Sequence, residues 1–173
     1  LLQELKTIED GFPKEVIKNA GYYSYVNGQK AWNGVAILSK EKLEITNTSI
    51  PTYDDPNARF IETEIQLKKI KKNIKLINIY LPNGNPIETE KFDYKINWMK
   101  KFNSYIQGLK NKNIPIIISG DFNVIPTDDD VYSPENFKND ACTHPLTREQ
   151  YRILINMGFT DLVKHFVEGK TNW

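Results

Sequence analysis

The amino-acid sequence predicts an α/β sandwich, and three observations carry that prediction. Several short runs rich in β-branched and aromatic residues read as strands, and one long segment repeats its apolar residues at helical spacing. A further run, Ile114-Pro115-Ile116-Ile117-Ile118, is apolar almost throughout, the pattern of a strand covered on both faces. Strands mixed with a few helices, around one doubly covered strand, call for layers of sheet and helix.

Leu1-Leu2-Gln3-Glu4 places two apolar residues before two polar ones and reads as the last part of a buried strand. Strands follow near Tyr22–Val26, Gly34–Ser39, Leu43–Thr48, Phe60–Leu67, Ile74–Tyr80 and Ile114–Ser119. In the fourth run, Ile61, Thr63, Ile65 and Leu67 alternate with Glu62, Glu64 and Gln66, which predicts one wet face. Pro115 suits the start of its strand, where a missing N–H costs least. A long helix fits Glu88 to Lys110, because Phe92, Ile96, Met99, Tyr105-Ile106 and Leu109 share one side. Lys91, Lys95, Lys100 and Lys101 fall between them. A second helix is expected from Thr147, with Gln150 completing a capping box and Gly158 as the C-cap.

The length of 173 residues suits one domain and hardly two. Three Trp, nine Tyr and eight Phe supply a core and argue against global disorder. No apolar run approaches the roughly 18–20 residues of a membrane span. The single Cys142 excludes an intrachain disulfide framework and suits a reducing, cytoplasmic setting. The net charge of +1 conceals a basic middle: residues 1–66 sum to −3, residues 67–115 to +8 and residues 116–173 to −4. Such a block suits a face that meets a polyanion; the alternative is that Lys68, Lys69, Lys71, Lys72 and Lys75 solvate a hairpin. Both ends look cut, so the chain is expected to be an internal piece of a larger domain, here a partial domain over 1–173.

The most informative segment is Ile116-Ile117-Ile118-Ser119-Gly120-Asp121-Phe122-Asn123. A strand delivers a carboxylate and a carboxamide, two residues apart, at its C-terminal end. Asp121 there can take a proton from water or hold a hard cation, and the Asn123 amide can orient that water or a phosphate oxygen. An Asx turn closing a strand is the alternative. Glu4 ends another strand and could complete a Mg²⁺ site, or could simply face solvent. Tyr80, at the end of Ile77-Asn78-Ile79-Tyr80, offers a hydroxyl for a phosphoryl oxygen or a ring for the core. His144, His165 and Cys142 lack zinc-ligand spacing, and no Gly-rich phosphate loop or Gly-x-Ser-x-Gly elbow is present.

In order along the chain, the segments Leu2-Gln3-Glu4-x-Lys6, Trp32-x-Gly34-Val35-Ala36-Ile37-Leu38, Ile79-Tyr80-x-Pro82-Asn83-Gly84, Lys91-Phe92, Gly120-Asp121-Phe122-Asn123-x-x-Pro126-x-Asp128 and Gly158-Phe159-x-Asp161 resemble the exodeoxyribonuclease III family of the endonuclease/exonuclease/phosphatase superfamily. The resemblance implies a four-layer α/β sandwich, two packed mixed sheets flanked by helices, here incomplete. It implies Mg²⁺-dependent phosphodiester hydrolysis, with Mn²⁺ as a substitute, beside abasic sites and from 3′ ends of double-stranded DNA. By position it makes Glu4 a metal ligand, Asp121 and Asn123 a catalytic and metal-binding pair, and Tyr80 a phosphate contact. Arg59, Asn83, Lys91 and Lys95 become the expected DNA contacts. Leu5 departs from the Thr that the family places after its glutamate.

The expected protein is a monomeric cytoplasmic DNA-repair hydrolase without a membrane partner. These 173 residues alone are expected to be inactive and poorly folded, since the family's further site residues would lie outside them. The competing readings are a superfamily phosphohydrolase acting on RNA, a phosphoinositide or a sphingomyelin headgroup, and a non-catalytic nucleic-acid-binding remnant.

Overall fold

The computed structural model describes residues 1–67 and 72–167, which form two compact units. The first holds Leu1–Leu81 and Gly108–Phe122, the second Pro82–Gln107 and the residues from Asn123 on. Among the described residues all seven strands lie in the first. They are β1 (Leu2–Gln3), β2 (Tyr23–Asn27), β3 (Val35–Ser39), β4 (Glu44–Asn47), β5 (Phe60–Leu67), β6 (Lys72–Tyr80) and β7 (Ile116–Asp121). The helices are α1 (Lys14–Asn19), α2 (Glu90–Lys110), α3 (Pro145–Asn156) and α4 (Leu162–Phe166). The six predicted strand runs and the long helix are therefore present, while α1, a helix of one and a half turns, left no periodic signal to read.

One sheet is antiparallel in the order β1-β3-β2; the other runs β4-β5-β6-β7, antiparallel except for the parallel β6–β7 pair. A parallel pair needs a long crossover, and α2 lies within that connection. Val35 and Ile37 of β3 share a buried cluster with Ile61 of β5, joined by Leu43 and flanked by Tyr25, Ile65, Leu76 and Tyr80. Phe12, Val26 and Ala36 form a second cluster that Leu5, Ile17 and Leu38 pack against. Leu5 thus fills apolar space. It also explains Gly34, where φ is +89° and a Cβ would stand 2.9 Å from that of Leu5.

Two strand expectations are corrected. β7 is not covered on both faces, since Ile117 is 48% exposed. An all-apolar run reports composition, and only the layers packed above and below a sheet decide whether both faces are covered. The wet face of β5 is also interrupted, because Glu62 is fully buried. Its carboxylate accepts from the Lys75 ammonium at 2.8 Å, from Asn47 Nδ2 at 2.9 Å and from the Thr46 hydroxyl. Lys75, read as part of a solvated lysine turn, is instead nearly buried as the counter-ion. Lys68, Lys69 and Lys71 of that turn lie outside the described residues.

In the second unit, Phe92, Ile96, Met99 and Ile106 of α2 are buried, as the helical spacing predicts, and Tyr105 is half-buried; Phe102, buried too, stacks on Trp98 at 5.3 Å. Buried Asn103 donates to the Gln150 carbonyl and side-chain oxygens at 3.0 and 3.2 Å, tying α2 to α3. The start of α3 differs from expectation. His144 is the N-cap, its Nδ1 accepting from Leu146 N–H at 3.2 Å, and Pro145 occupies the first turn. Thr147 is buried inside that turn and donates to the Ala141 carbonyl at 2.7 Å, so a proline that can open a helix outranked the Thr-x-x-Gln pattern. Gly158 follows the last turn with φ +93°, as the C-cap reading requires.

The Glu62–Lys75 pair yields a prediction. Lys75→Met strands a buried carboxylate and should destabilise the protein by about 3–5 kcal/mol in denaturant unfolding. The double variant Lys75→Met/Glu62→Gln should recover most of that loss.

Candidate active site

Four side chains meet at one end of the first unit, and the chain brings each there for a local reason. β1 ends at Gln3, and Glu4 follows in the left-handed region at φ +53°, turning its carboxylate out of the strand. Tyr80 is the last residue of β6 and stands in register with Asp121, the last residue of β7. That register depends on Gly120. At φ +132°, a Cβ there would come within 2.1 Å of the Ile79 carbonyl oxygen and 2.9 Å of Asn78 Oδ1. No other residue fits, so the glycine before Asp121 is a demand of close backbone approach. Leu81 N–H donates to the Asp121 carbonyl at 2.9 Å, extending the pairing one residue further.

Arg59, just ahead of β5, completes the group. Its backbone carbonyl accepts from Tyr80 N–H at 2.8 Å, and its guanidinium donates to the Tyr80 carbonyl at 3.2 Å. The guanidinium carbon also lies 4.8 Å from the centre of the Tyr80 ring, a cation–π geometry. Arg59 is thus folded onto Tyr80.

The electrostatics assign different charge states to two neighbours. A hydrogen bond from Lys6, whose ammonium is 3.1 Å away, and another from the Tyr80 hydroxyl hold the Glu4 carboxyl below its ordinary pKa. Burial, and then the Glu4 charge, push the Tyr80 phenol above its ordinary value, although Arg59 pulls the other way. At neutral pH the site therefore presents an ionised oxygen ligand beside a protonated hydroxyl donor. A charged Glu4 suits a hard cation, whereas a neutral Tyr80 suits an anionic oxygen.

The remaining candidates fall in the second unit. Asn83 Nδ2 donates to Asn123 Oδ1 at 3.2 Å, and Asn83 Oδ1 accepts from Asn85 N–H at 3.1 Å. Asn123 itself is left-handed at φ +45°. Lys91 is exposed on α2. Lys95, expected to contact DNA, is corrected by the structure: it is fully buried, with its ammonium on the carbonyls of Pro82, Asn83 and Asn123. A cation so enclosed cannot track a phosphate backbone. Asp128, in the Pro126-x-Asp128 segment, receives Arg148 at 2.7 Å, and Asp161 caps α4 while accepting from the Tyr151 hydroxyl at 2.6 Å.

Sequence reasoning missed Asn78 and Lys6. Lys6 appeared only as a letter in a motif, and its ion pair with Glu4 needs the left-handed turn at φ +54° that no spacing reveals. Asn78 did carry a signal, an amide between Ile77 and Ile79 in an otherwise apolar strand.

The chain belongs to the Endonuclease/Exonuclease/phosphatase family, whose pattern matches residues 1–171. It is 33% identical over 172 residues to exodeoxyribonuclease III of Haemophilus influenzae, covering 92% of this chain and 62% of that protein. Among solved structures, an AP endonuclease from Archaeoglobus fulgidus superposes with a TM-score of 0.84 at 31% identity, over 94% of this chain and 61% of the other. A 3′-5′ exonuclease from Neisseria meningitidis gives 0.85 at 30% identity, over 95% and 62%. The chain thus spans less than two thirds of the length of each of these proteins, and its fold is the α/β sandwich they share.

The charge assignment predicts opposite titration shifts. Glu4→Gln removes the neighbouring carboxylate and should move the Tyr80 titration downward. Arg59→Met removes a cation that favours the phenolate and should move it upward. The ¹³Cζ shift of Tyr80 across alkaline pH reads both.

Proposed function

We propose that the protein containing this chain is a divalent-metal-dependent phosphodiesterase acting on DNA, an abasic-site endonuclease and 3′-5′ exonuclease of the exodeoxyribonuclease III type. The observation that carries the reading is the juxtaposition of ionised Glu4, just past the end of β1 in one sheet, with protonated Tyr80 and Asp121 at the paired ends of β6 and β7 in the other. Relatives called exodeoxyribonuclease III and AP endonuclease support the choice of DNA. We further propose that it acts as a monomer in the cytoplasm, the single Cys142 suiting a reducing compartment.

The donor set fits Mg²⁺, with Mn²⁺ as a substitute, better than it fits zinc. Glu4 is a hard oxygen donor, and Mg²⁺ commonly takes one or two carboxylates with waters and substrate phosphate. Among the described residues no three or more His, Cys, Asp or Glu stand together to hold a metal ion, so an ion here would draw its remaining ligands from waters and substrate oxygens, as Mg²⁺ commonly does. When bound, the ion would neutralise the phosphodiester and polarise its oxygens.

A phosphodiester is anionic and repels an incoming hydroxide, so the protein must hold it and place a water in line. Tyr80 keeps its proton and, once substrate is bound, turns that donor from Glu4 to a phosphoryl oxygen, while Arg59, stacked on its ring, holds the ring and adds positive charge. Asp121 takes the proton of the attacking water or fixes its direction. Asn123, two residues on, holds the phosphate with its amide, and Asn83 and exposed Lys91 meet the flanking backbone. An abasic nucleotide is the easiest to swing out of the duplex, because no base pair must be broken.

The test is incision of a duplex carrying one abasic site by the full-length protein in Mg²⁺, with chelation abolishing it. Asp121→Asn should lower turnover by roughly 10²–10⁴-fold. Glu4→Gln should raise the Mg²⁺ concentration needed for half-maximal rate. Release of phosphate from a phosphoinositide without DNA incision would move the reading to a lipid headgroup. Salt-sensitive DNA binding without turnover would leave a binding remnant.

A further inference from the structure

Lys95 sits among the lysines of α2, yet its environment resembles none of theirs. Lys91, Lys100 and Lys101 are exposed, whereas Lys95 is fully buried. Its ammonium donates to the Pro82 carbonyl at 3.1 Å, the Asn83 carbonyl at 3.0 Å and the Asn123 carbonyl at 2.6 Å. An ammonium has three protons, and here each has a backbone acceptor. Bonds to an ionised donor are shorter and stronger than neutral ones, so two loops are pinned by one charge.

The loop before α2 is shaped around the lysine stem. Gly84 has φ +87°, and a Cβ there would stand 2.5 Å from Lys95 Cδ and 3.2 Å from the Ala141 Cβ. The Asn-Gly pair is thus a turn folded over a buried cation. Two of the three carbonyls belong to Asn83 and Asn123, the residues whose side-chain amides pair at 3.2 Å. Fixing a residue's carbonyl fixes the Cα from which its side chain departs.

We infer that Lys95 is a positioning residue: from inside the second unit it sets the Asn83–Asn123 amide pair through their backbone carbonyls. Its consequence for catalysis rests on the phosphate-holding role proposed above, but the placement of the pair does not.

The experiment uses the full-length protein and two readouts. The side-chain amide ¹H–¹⁵N signals of Asn83 and Asn123 are followed in Lys95→Met, with Lys18→Met, on exposed α1, as the control. Both signals should move in Lys95→Met and stay in the control. With an abasic duplex, kcat should fall about 100-fold, the cost of a small misplacement, with KM little changed. The double variant Lys95→Met/Asn123→Ala should be no worse than the worse single variant, because the two losses share one cause. Unmoved amide signals in a folded Lys95→Met, or losses that multiply in the double variant, would overturn the inference. Should Lys95→Met fail to fold, Gly84→Ala presses on the stem with the charge retained and must move the same two signals. If they stay, the inference fails. Absence of DNA cleavage by the parent protein would sink the phosphodiesterase reading alone, since the amide signals still decide the positioning.

Discussion

The first unit depends on one buried carboxamide. Asn78, in the middle of β6, is fully buried, and its Nδ2 donates to the Leu2 carbonyl and to the Ala36 carbonyl, each at 2.9 Å. Its Oδ1 accepts from Gln3 Nε2 at 2.7 Å. One side chain on the four-stranded sheet therefore reaches two strands of the other sheet and locks them against sliding. Residues two apart along a strand share a face, so the side that carries Asn78 also carries Tyr80. Glu4 follows Gln3 directly, turned out of β1 by its left-handed φ of +53°. Clamping Asn78 to Leu2 and Gln3 consequently brings the Glu4 carboxylate to the Tyr80 hydroxyl. An apolar residue at position 78 would forfeit these three hydrogen bonds between the sheets and loosen the offset they fix.

That clamp also explains why the strand before Asp121 must contain Gly120. The space beside Asn78 Oδ1 and Ile79 is already filled by the clamp and by the β6 backbone. β7 can draw close enough to pair Tyr80 with Asp121 only where it carries no side chain. The Gly-Asp pair is thus one requirement with two parts, a close approach followed at once by the group that the approach delivers.

Much of the fold was legible because it is written in periodicities. The six strand runs alternate or fill with β-branched residues, and α2 repeats its apolar residues at helical spacing. The ends of β1, β6 and β7, and so Glu4, Tyr80 and Asp121, could be placed from those runs, and the ordered motifs then joined them. What stayed hidden was partnership. Lys75 and Lys95 look like the other lysines in a chain that has 23 basic residues, yet each is buried against specific oxygens supplied by distant segments. Burial of a charge is decided by acceptors that a linear pattern does not bring together. The same blindness made β7 look doubly covered and made Thr147 look like a cap.

The basic middle block therefore divides by purpose rather than acting as one polyanion-binding face. Residues 67–115 sum to +8, but Lys75 neutralises Glu62 inside the first unit and Lys95 holds carbonyls inside the second. Neither charge can release a counterion from nucleic acid, because neither reaches solvent freely. The lysines that remain for a phosphate backbone include Lys91, Lys100 and Lys101 on the exposed side of α2. Salt dependence scales with the number of phosphates that cations neutralise, so under the proposed action on DNA the slope of affinity against salt should follow this smaller exposed set. A charge sum reports how basic a segment is. The fold decides how much of that charge faces outward, and here it turns two of the lysines to internal work.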